Sequence, residues 1–480
     1  MRRAKIVCTL GPASSSEEVI EKLIHAGMDV ARINFSHGDH DSYRGVINRV
    51  RTVSARLGKP VGILQDLQGP KIRTRKMESG EIVLKTGAQT TITTDDDAEG
   101  TPERFSSQYV DLPKDVKPGD MILLDDGKLA VRCLSIHDDR DILCEVVHGG
   151  VLKSNKGINV PAGGLSTPSL TEKDIHDVYF GAEVGVDAVA LSFVRSADDI
   201  KRLRRELALA KTKPIVIAKI EKQQALDNLD AILEESDGVM VARGDLGVEL
   251  PLEQVPTAQK KIIEEANKRG KTVIVATQML ESMINEPRPT RAEASDVANA
   301  VLDGADMLML SAETASGQFP VEVVKTMDRI IHYVENSELA RYWRTEVGLS
   351  TGMRQRFQNA ISLAGTRAAE ELSARAIVIY TTSGATARLV SDYRPKIPII
   401  AFVPDIAEQR RLCFAWGVQT QVLKHPSDTE TLLTRVNELL IRHWRMEPEE
   451  TIVLLTKVPL LTSQRTNAVH IHTLKCLKGL

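Results

Sequence analysis

The chain lacks most marks of secreted, membrane and nucleic-acid-binding proteins. Its five cysteines, Cys8, Cys133, Cys144, Cys413 and Cys476, are scattered with no C-x-x-C spacing. That usage fits reduced thiols and argues against a disulfide framework or a zinc site. No apolar run reaches the length that spans a bilayer. Met1-Arg2-Arg3 precedes an apolar patch, but the patch stops at Gly11-Pro12, so a first strand is expected there and not a signal peptide. Neither charge dominates: 62 Lys and Arg against 65 Asp and Glu give a net charge of −3. Such a balance argues against a general nucleic-acid or membrane partner. What remains is an ordinary soluble composition, 42% hydrophobic and 26% charged. A cytoplasmic protein is expected, long enough at 480 residues for about three domains.

Eight apolar runs carry the organisation: Ala4–Thr9, Asp29–Asn34, Val61–Asp66, Val186–Phe193, Pro214–Ile220, Gly238–Val241, Thr272–Ala276 and Met307–Leu310. Each is continuous and rich in Val, Ile, Ala and Met, as strands buried on both faces are. Helix-like stretches lie between most of them, at Ser16–Ala26, Tyr43–Leu57, Ala197–Ala210, Gln254–Arg269 and Ala292–Leu302. Eight strand–helix units predict a (β/α)8 TIM barrel, residues 1–69 and 169–343.

The long gap after the third strand reads differently. Glu81–Leu84, Thr90–Thr94, Met121–Leu124, Lys128–Leu134 and Ile142–Val147 alternate or are β-branched, with Pro118-Gly119-Asp120 and Asp125-Asp126-Gly127 as turns. The pattern predicts a small inserted all-β domain over residues 70–168, placed as a lid on the catalytic face. Residues 344–480 return to α/β character, with strands expected at Ala376–Tyr380, Pro398–Phe402, Val418–Leu423, Thr451–Thr456 and Val469–His472. Five strands are too few for a second barrel, so a separate open sheet is expected.

Polar signatures end the barrel strands, and in such barrels chemistry sits at that rim. Lys219 and Glu221 are two apart on one strand, so their side chains point the same way. Asp245 ends the next strand, close to Glu221. Two carboxylates beside a lysine suit Mg²⁺ or Mn²⁺; a buried salt-bridge cluster is the plainer alternative. Further endings are Arg32, Asn34, Ser36 and His37, then Asp66, Arg73, Thr277, Ser311 and Glu313. Arginines, a lysine and a divalent ion around one cavity imply a highly anionic substrate, such as a phosphate ester with a carboxylate. If Gly244-Asp245 opens a helical turn, its N–H groups can hold an anion.

At these residues the chain closely resembles pyruvate kinases. The matching stretches are KIVCTLGPAS (5–14), VARINFSHGDH (30–40), ILQDLQGPKIR (63–73), NKGINVP (155–161), IAKIE (217–221), VMVARGDLGVE (239–249), ATQMLESM (276–283) and PTRAEASDVANAVLDGADMLMLSAETASGQFP (289–320). The resemblance implies that the inserted lid domain is a small β-barrel, and it implies phosphoryl transfer from phosphoenolpyruvate to ADP, a homotetramer and an allosteric phosphorylated effector. It implies that Lys219 and Arg32 handle the phosphoryl group and that Glu221 and Asp245 hold Mg²⁺. It also implies that Gly244, Asp245 and Thr277 hold the carboxylate end, and that Asn34, His37, Arg73 and Lys156 serve the nucleotide. Thr277, Ser311 and Glu313 are implied in protonating enolpyruvate.

One departure matters. K⁺-dependent members hold the ion with residues matching Asn34, Ser36, Asp66 and the carbonyl of Leu67. Their pattern Asp-Thr-Lys-Gly-Pro-Glu reads here Asp66-Leu67-Gln68-Gly69-Pro70-Lys71. Lys71 in place of the glutamate resembles the K⁺-independent branch, since a fixed ammonium supplies the charge and repels K⁺; Thr74 keeps the residue of the dependent branch. K⁺ is therefore expected not to be required. In the last domain Thr381, Thr382, Ser383, Gly384 and Thr386 follow a strand as a phosphate-binding loop would, although an ordinary helix cap reads the same way. The resemblance favours effector binding there, with Gln464-Arg465-Thr466-Asn467 as a second loop. Neither a long N-terminal extension nor an appended C-terminal phosphotransfer domain is expected. A metal-dependent or Schiff-base aldolase, and a catalytically dead sugar-phosphate sensor, are the rival readings. The inserted domain and Lys156 speak for a second, nucleotide substrate against the first rival, and the intact rim speaks against the second.

Overall fold

A computed structural model of the chain describes residues 2–95, 99–161, 166–339, 353–460, 463 and 465–476. Eight parallel strands close into a barrel: Lys5–Thr9, Val30–Asn34, Gly62–Asp66, Ala188–Leu191, Ile215–Ile220, Gly238–Ala242, Thr272–Ala276 and Met307–Leu310. Closure is made by the first strand, which pairs Lys5 with Met307 on one side and Val7 with Val30 on the other. All eight expected strands are present. The fourth ends at Leu191 and not at Phe193, because Phe193 takes φ +54°, a left-handed conformation that a strand does not continue.

Local sequence explains the flanking helices. Ser16 caps Glu17–Ala26, and Asp39, Thr171 and Thr290 make reciprocal capping boxes before His40–Leu57, Glu172–Val184 and Arg291–Leu302. The helices pack their apolar faces on the outside of the barrel around Ile6, Ile63, Val189, Val216 and Val275. Inside, Val7, Val30, Leu64, Ile217, Met240 and Met307 fill the barrel axis, so it is a packed core with no pore.

The inserted domain is a curled six-stranded sheet with a two-stranded ribbon, Glu81–Leu84 paired antiparallel to Gly150–Lys153. Its core is separate, built around Ile92, Phe105, Ile122, Val131, Ile142 and Cys144. The last domain is an open five-stranded sheet with Ala376–Tyr380 at its centre and Ala468–Thr473 antiparallel at one edge. The expected boundary between residues 343 and 344 lies outside the described residues.

The last domain also enters the barrel. Cys413 and Phe414 belong to the cluster that fills the barrel axis, and a Cβ on Gly62 would lie 2.6 Å from the Phe414 ring. Around this plug, Asp187 accepts from Arg51 at 2.8 Å, Arg410 at 3.1 Å and the Ile63 N–H at 2.8 Å. Arg394 pairs with Asp306 at 2.7 Å and stacks over Trp416.

Candidate active site

Among the rim residues, Arg32, Asp66, Lys219 and Glu221 make direct contacts. Lys219, on the fifth strand, donates to Ser192 Oγ at 2.7 Å and pairs with Glu221 Oε1 at 2.9 Å and Asp66 Oδ1 at 3.2 Å. Arg32, on the second strand, reaches Asp66 Oδ2 through Nε at 2.7 Å and Nη2 at 2.6 Å, and donates to Thr9 Oγ1 at 3.0 Å. Burial works to raise the Asp66 carboxyl, but Lys219 and Arg32 outweigh it and hold it below the usual carboxylate range. Burial likewise works to lower the Lys219 ammonium, yet Asp66, Glu221 and Asp245 overcome this and raise it. Lys219 is therefore a permanent cation at physiological pH. For Glu221 burial dominates and pushes the carboxyl up, with Lys219 opposing and Asp245 adding to the rise.

Glu221 Oε2 accepts the Phe193 N–H at 2.7 Å. Asp245, which lines the cleft, accepts no hydrogen bond among the described residues. No group of three or more His, Cys, Asp or Glu side chains among the described residues could hold a metal by itself. Two carboxylates are nonetheless the donor set that Mg²⁺ takes, since it keeps several waters and completes its shell with substrate oxygens. The residues fit such an ion.

Arg243–Glu249 forms a short helix after the sixth strand. Its Gly244 N–H donates to Thr277 Oγ1 at 2.7 Å, and that hydroxyl donates to the Ala276 carbonyl at 2.6 Å. Thr277 and Gln278 hold φ values of +68° and +53°, a conformation that costs a β-branched residue about 1–3 kcal/mol. Arg243 clamps them by donating to the Thr277 and Gln278 carbonyls at 2.7 and 3.1 Å, and is itself held by Asp296 at 2.6 Å. Glu313 is buried and accepts the backbone N–H groups of Ser311 at 2.6 Å and Leu280 at 3.3 Å. It therefore ties the loops after the seventh and eighth strands together, and burial raises its carboxyl.

Other expected residues lie further out. Asn34 Oδ1 accepts the Ser36 N–H at 3.1 Å, and the His37 carbonyl accepts from Tyr43 at 2.8 Å while its side chain is exposed. The Leu67 carbonyl accepts from Ser192 at 2.6 Å. Arg73 donates to the Asn155 carbonyl at 3.0 Å, and Lys156 pairs with Asp125 at 2.9 Å, both within the inserted domain. Lys71 makes its ion pair with Asp126, at 4.0 Å, and lines a cleft between the inserted domain and the rim, together with Lys222 and Asp245. In the last domain Thr382 and Ser383 are exposed, Gly384 takes φ +67°, and Thr386 Oγ1 lies 2.6 Å from Thr466 Oγ1. The two expected effector loops are thus neighbours; Gln464 lies outside the described residues.

Sequence reasoning missed Ser192, Arg243, Lys222 and Glu249. Lys222 pairs with the buried Glu249 at 2.8 Å. A signal existed for three of them, since Ser192 directly follows a strand and Lys222 and Arg243 stand beside residues already singled out.

A cation held between two carboxylates at a barrel rim, beside an inserted domain, is an arrangement suited to an anionic substrate. Family models named "Pyruvate kinase, barrel domain" and "Pyruvate kinase, alpha/beta domain" match residues 1–324 and 359–472. A pyruvate kinase of Corynebacterium efficiens is 44% identical over 477 residues, covering 98% of both chains. One of Staphylococcus aureus is 45% identical over 474 residues, covering 98% of this chain and 80% of the relative. The crystal structure of a pyruvate kinase from Cryptosporidium parvum superposes with a TM-score of 0.91 at 38% identity, covering 98% of this chain and 96% of that one. The chain belongs to the pyruvate kinase family, whose members are glycolytic phosphotransferases. No helix among the described residues is long and apolar enough to cross a membrane.

Proposed function

We propose that the chain transfers the phosphoryl group of phosphoenolpyruvate to ADP, giving ATP and pyruvate, with the work divided along the rim. The observation that carries this is Lys219, largely buried and held between Asp66 and Glu221, with Arg32 on the other oxygen of Asp66. A phosphoryl group moving between two anions needs fixed cations where its charge spreads. Lys219 stabilises the group in transit and Arg32 grips it at the start. Glu221 and Asp245 hold Mg²⁺, which when bound neutralises phosphoryl and carboxylate oxygens. Gly244, Asp245 and Thr277 form the seat for the carboxylate end, and the Arg243 clamp keeps that seat in shape. Asn34, His37, Arg73 and Lys156 serve the nucleotide, with Arg73 and Lys156 carried by the inserted domain, so that its closure excludes water from the donor. Thr277, Ser311 and Glu313 stand where enolpyruvate takes its proton.

The same reading covers regulation and ions. Thr381, Thr382, Ser383, Gly384 and Thr386 bind a phosphorylated effector, supported by the exposed hydroxyls of Thr382 and Ser383 beside the Thr466 loop. Lys71 takes the place of the monovalent ion that Asn34, Ser36, Asp66 and Leu67 would otherwise hold. Its pair at 4.0 Å with Asp126 is weak enough to leave the ammonium available to the cleft. The three-part division at residues 70, 169 and 344, a homotetramer and a cytoplasmic setting complete the proposal. A coupled assay for pyruvate from phosphoenolpyruvate and ADP, with Mg²⁺ and with or without K⁺ and sugar phosphates, tests it. Rapid ADP-dependent release of pyruvate is expected; trapping of a keto substrate on Lys219 by borohydride without ADP turnover would point to an aldolase instead.

A further inference from the structure

Lys219 is surrounded by charge, but charge alone does not aim it. Its contacts with Glu221 and Asp66 are ion pairs at 2.9 and 3.2 Å, and Asp66 Oδ1 has no well-formed hydrogen bond. Coulombic attraction falls slowly with distance and is indifferent to angle, whereas a hydrogen bond weakens steeply when bent. The directed bond from the ammonium goes to Ser192 Oγ, at 2.7 Å.

Ser192 is itself fixed in direction. Its single hydroxyl proton goes to the Leu67 carbonyl at 2.6 Å, so a lone pair of its oxygen faces Lys219. The side chain is buried, 1% exposed, and packed against the loop after the third strand. A Cβ on Gly69 would come within 3.0 Å of Ser192 Cβ and 2.8 Å of the Phe193 ring. Phe193, at φ +54°, turns its N–H toward Glu221 Oε2 at 2.7 Å. One dipeptide after the fourth strand thus orients two side chains at the end of the fifth: Ser192 orients the ammonium of Lys219, and Phe193 the carboxylate of Glu221 just beyond the strand.

We propose that Ser192 is a positioning residue for phosphoryl transfer, aiming the Lys219 ammonium at the group in transit through a relay from Lys219 to Ser192 to the Leu67 carbonyl. The inference rests on Lys219 acting as the phosphoryl-stabilising cation. Ser192→Ala removes one atom, adds no bulk and leaves every charge of the site in place. A misaimed cation should cost kcat about 10- to 100-fold. KM for phosphoenolpyruvate and ADP, and Mn²⁺ affinity by electron paramagnetic resonance, should change by less than about threefold.

The test is a double-mutant cycle in the full-length protein with Lys219→Met, accompanied by thermal unfolding of each variant. If Ser192 acts through Lys219, adding Ser192→Ala to Lys219→Met costs nothing further in kcat. An Ala variant with near-normal kcat, losses that multiply in the double variant, or a fall in kcat, substrate affinity and melting point together would each overturn the proposal. Near-normal turnover in Lys219→Met alone would instead overturn the reading of Lys219 on which it rests.

Discussion

Asp66 and Arg32 meet at a single oxygen: both Nε and Nη2 of Arg32 reach Asp66 Oδ2, at 2.7 and 2.6 Å. The other oxygen is thereby left to Lys219, and one buried carboxylate balances two cations. Its ionised state is favoured well below neutral pH. Asp66→Asn should therefore leave Arg32 without its carboxylate and Lys219 with Glu221 as its remaining partner. Removing one partner of a buried pair costs about 3–5 kcal/mol, and a loss of that order in urea unfolding, together with a collapse of turnover, is the expected result. A variant with unchanged stability would show that the two cations find other compensation.

Glu221 and Asp245 should set the metal requirement. Glu221→Gln and Asp245→Asn are each expected to raise the Mg²⁺ concentration for half-maximal activity by at least the roughly 10- to 100-fold that outer-shell changes cost. Chelation should abolish activity in the unaltered protein. Mn²⁺ titration followed by electron paramagnetic resonance reads the affinity directly, and unaltered Mn²⁺ binding in both variants would exclude the assignment.

Lys71 makes the monovalent ion dispensable on the reading above. Activity in buffer free of sodium and potassium should match that with added K⁺. Lys71→Glu should make activity depend on K⁺, because a carboxylate attracts the ion that the ammonium repels. Strict K⁺ activation of the unaltered protein would refute the idea.

Asp392 gives the interface between barrel and last domain a pH dependence. Its carboxyl is pushed up to about 7 by burial and by Asp306, against Arg394 and Arg388. In the unfolded chain the group ionises near 3.8. The folded state keeps this proton until about pH 7, so the group's contribution to stability falls as pH rises from about 4 to 7 and is flat above. Asp392→Asn should flatten that part of the profile and raise the melting temperature at pH 8 relative to pH 5. Parallel profiles for the two proteins would rule it out.

The barrel was legible because eight buried parallel strands write themselves as continuous apolar runs, and the rim because its polar residues follow directly. Two strands of the inserted domain, Arg104–Ser106 and Ile158–Asn159, are too short to show any period, and Gly150–Lys153 opens on the Gly149-Gly150 pair that reads as a turn. The helix Glu172–Val184 passed unnoticed although Thr171 and Asp174 spell out its capping box. Ser192 could not be weighted from sequence, since a serine after a strand ordinarily just satisfies a backbone group. Its importance depends on a hydroxyl proton already given to Leu67, which only packing reveals. The pairing of Lys71 with Asp126 joins two positions of the inserted domain far apart in sequence, a relation that no local pattern encodes.

Phe414 carries a consequence for engineering. The catalytic barrel borrows part of its own interior from a residue some hundred positions beyond its last strand. A fragment that stops after the eighth strand would expose the apolar floor around Gly62 to water, and aggregation or loss of the native fold is its expected fate. Chimeras that exchange the last domain between relatives face the same constraint at the joint. The stopper and its seat, Phe414 and Gly62, have to travel as a matched pair.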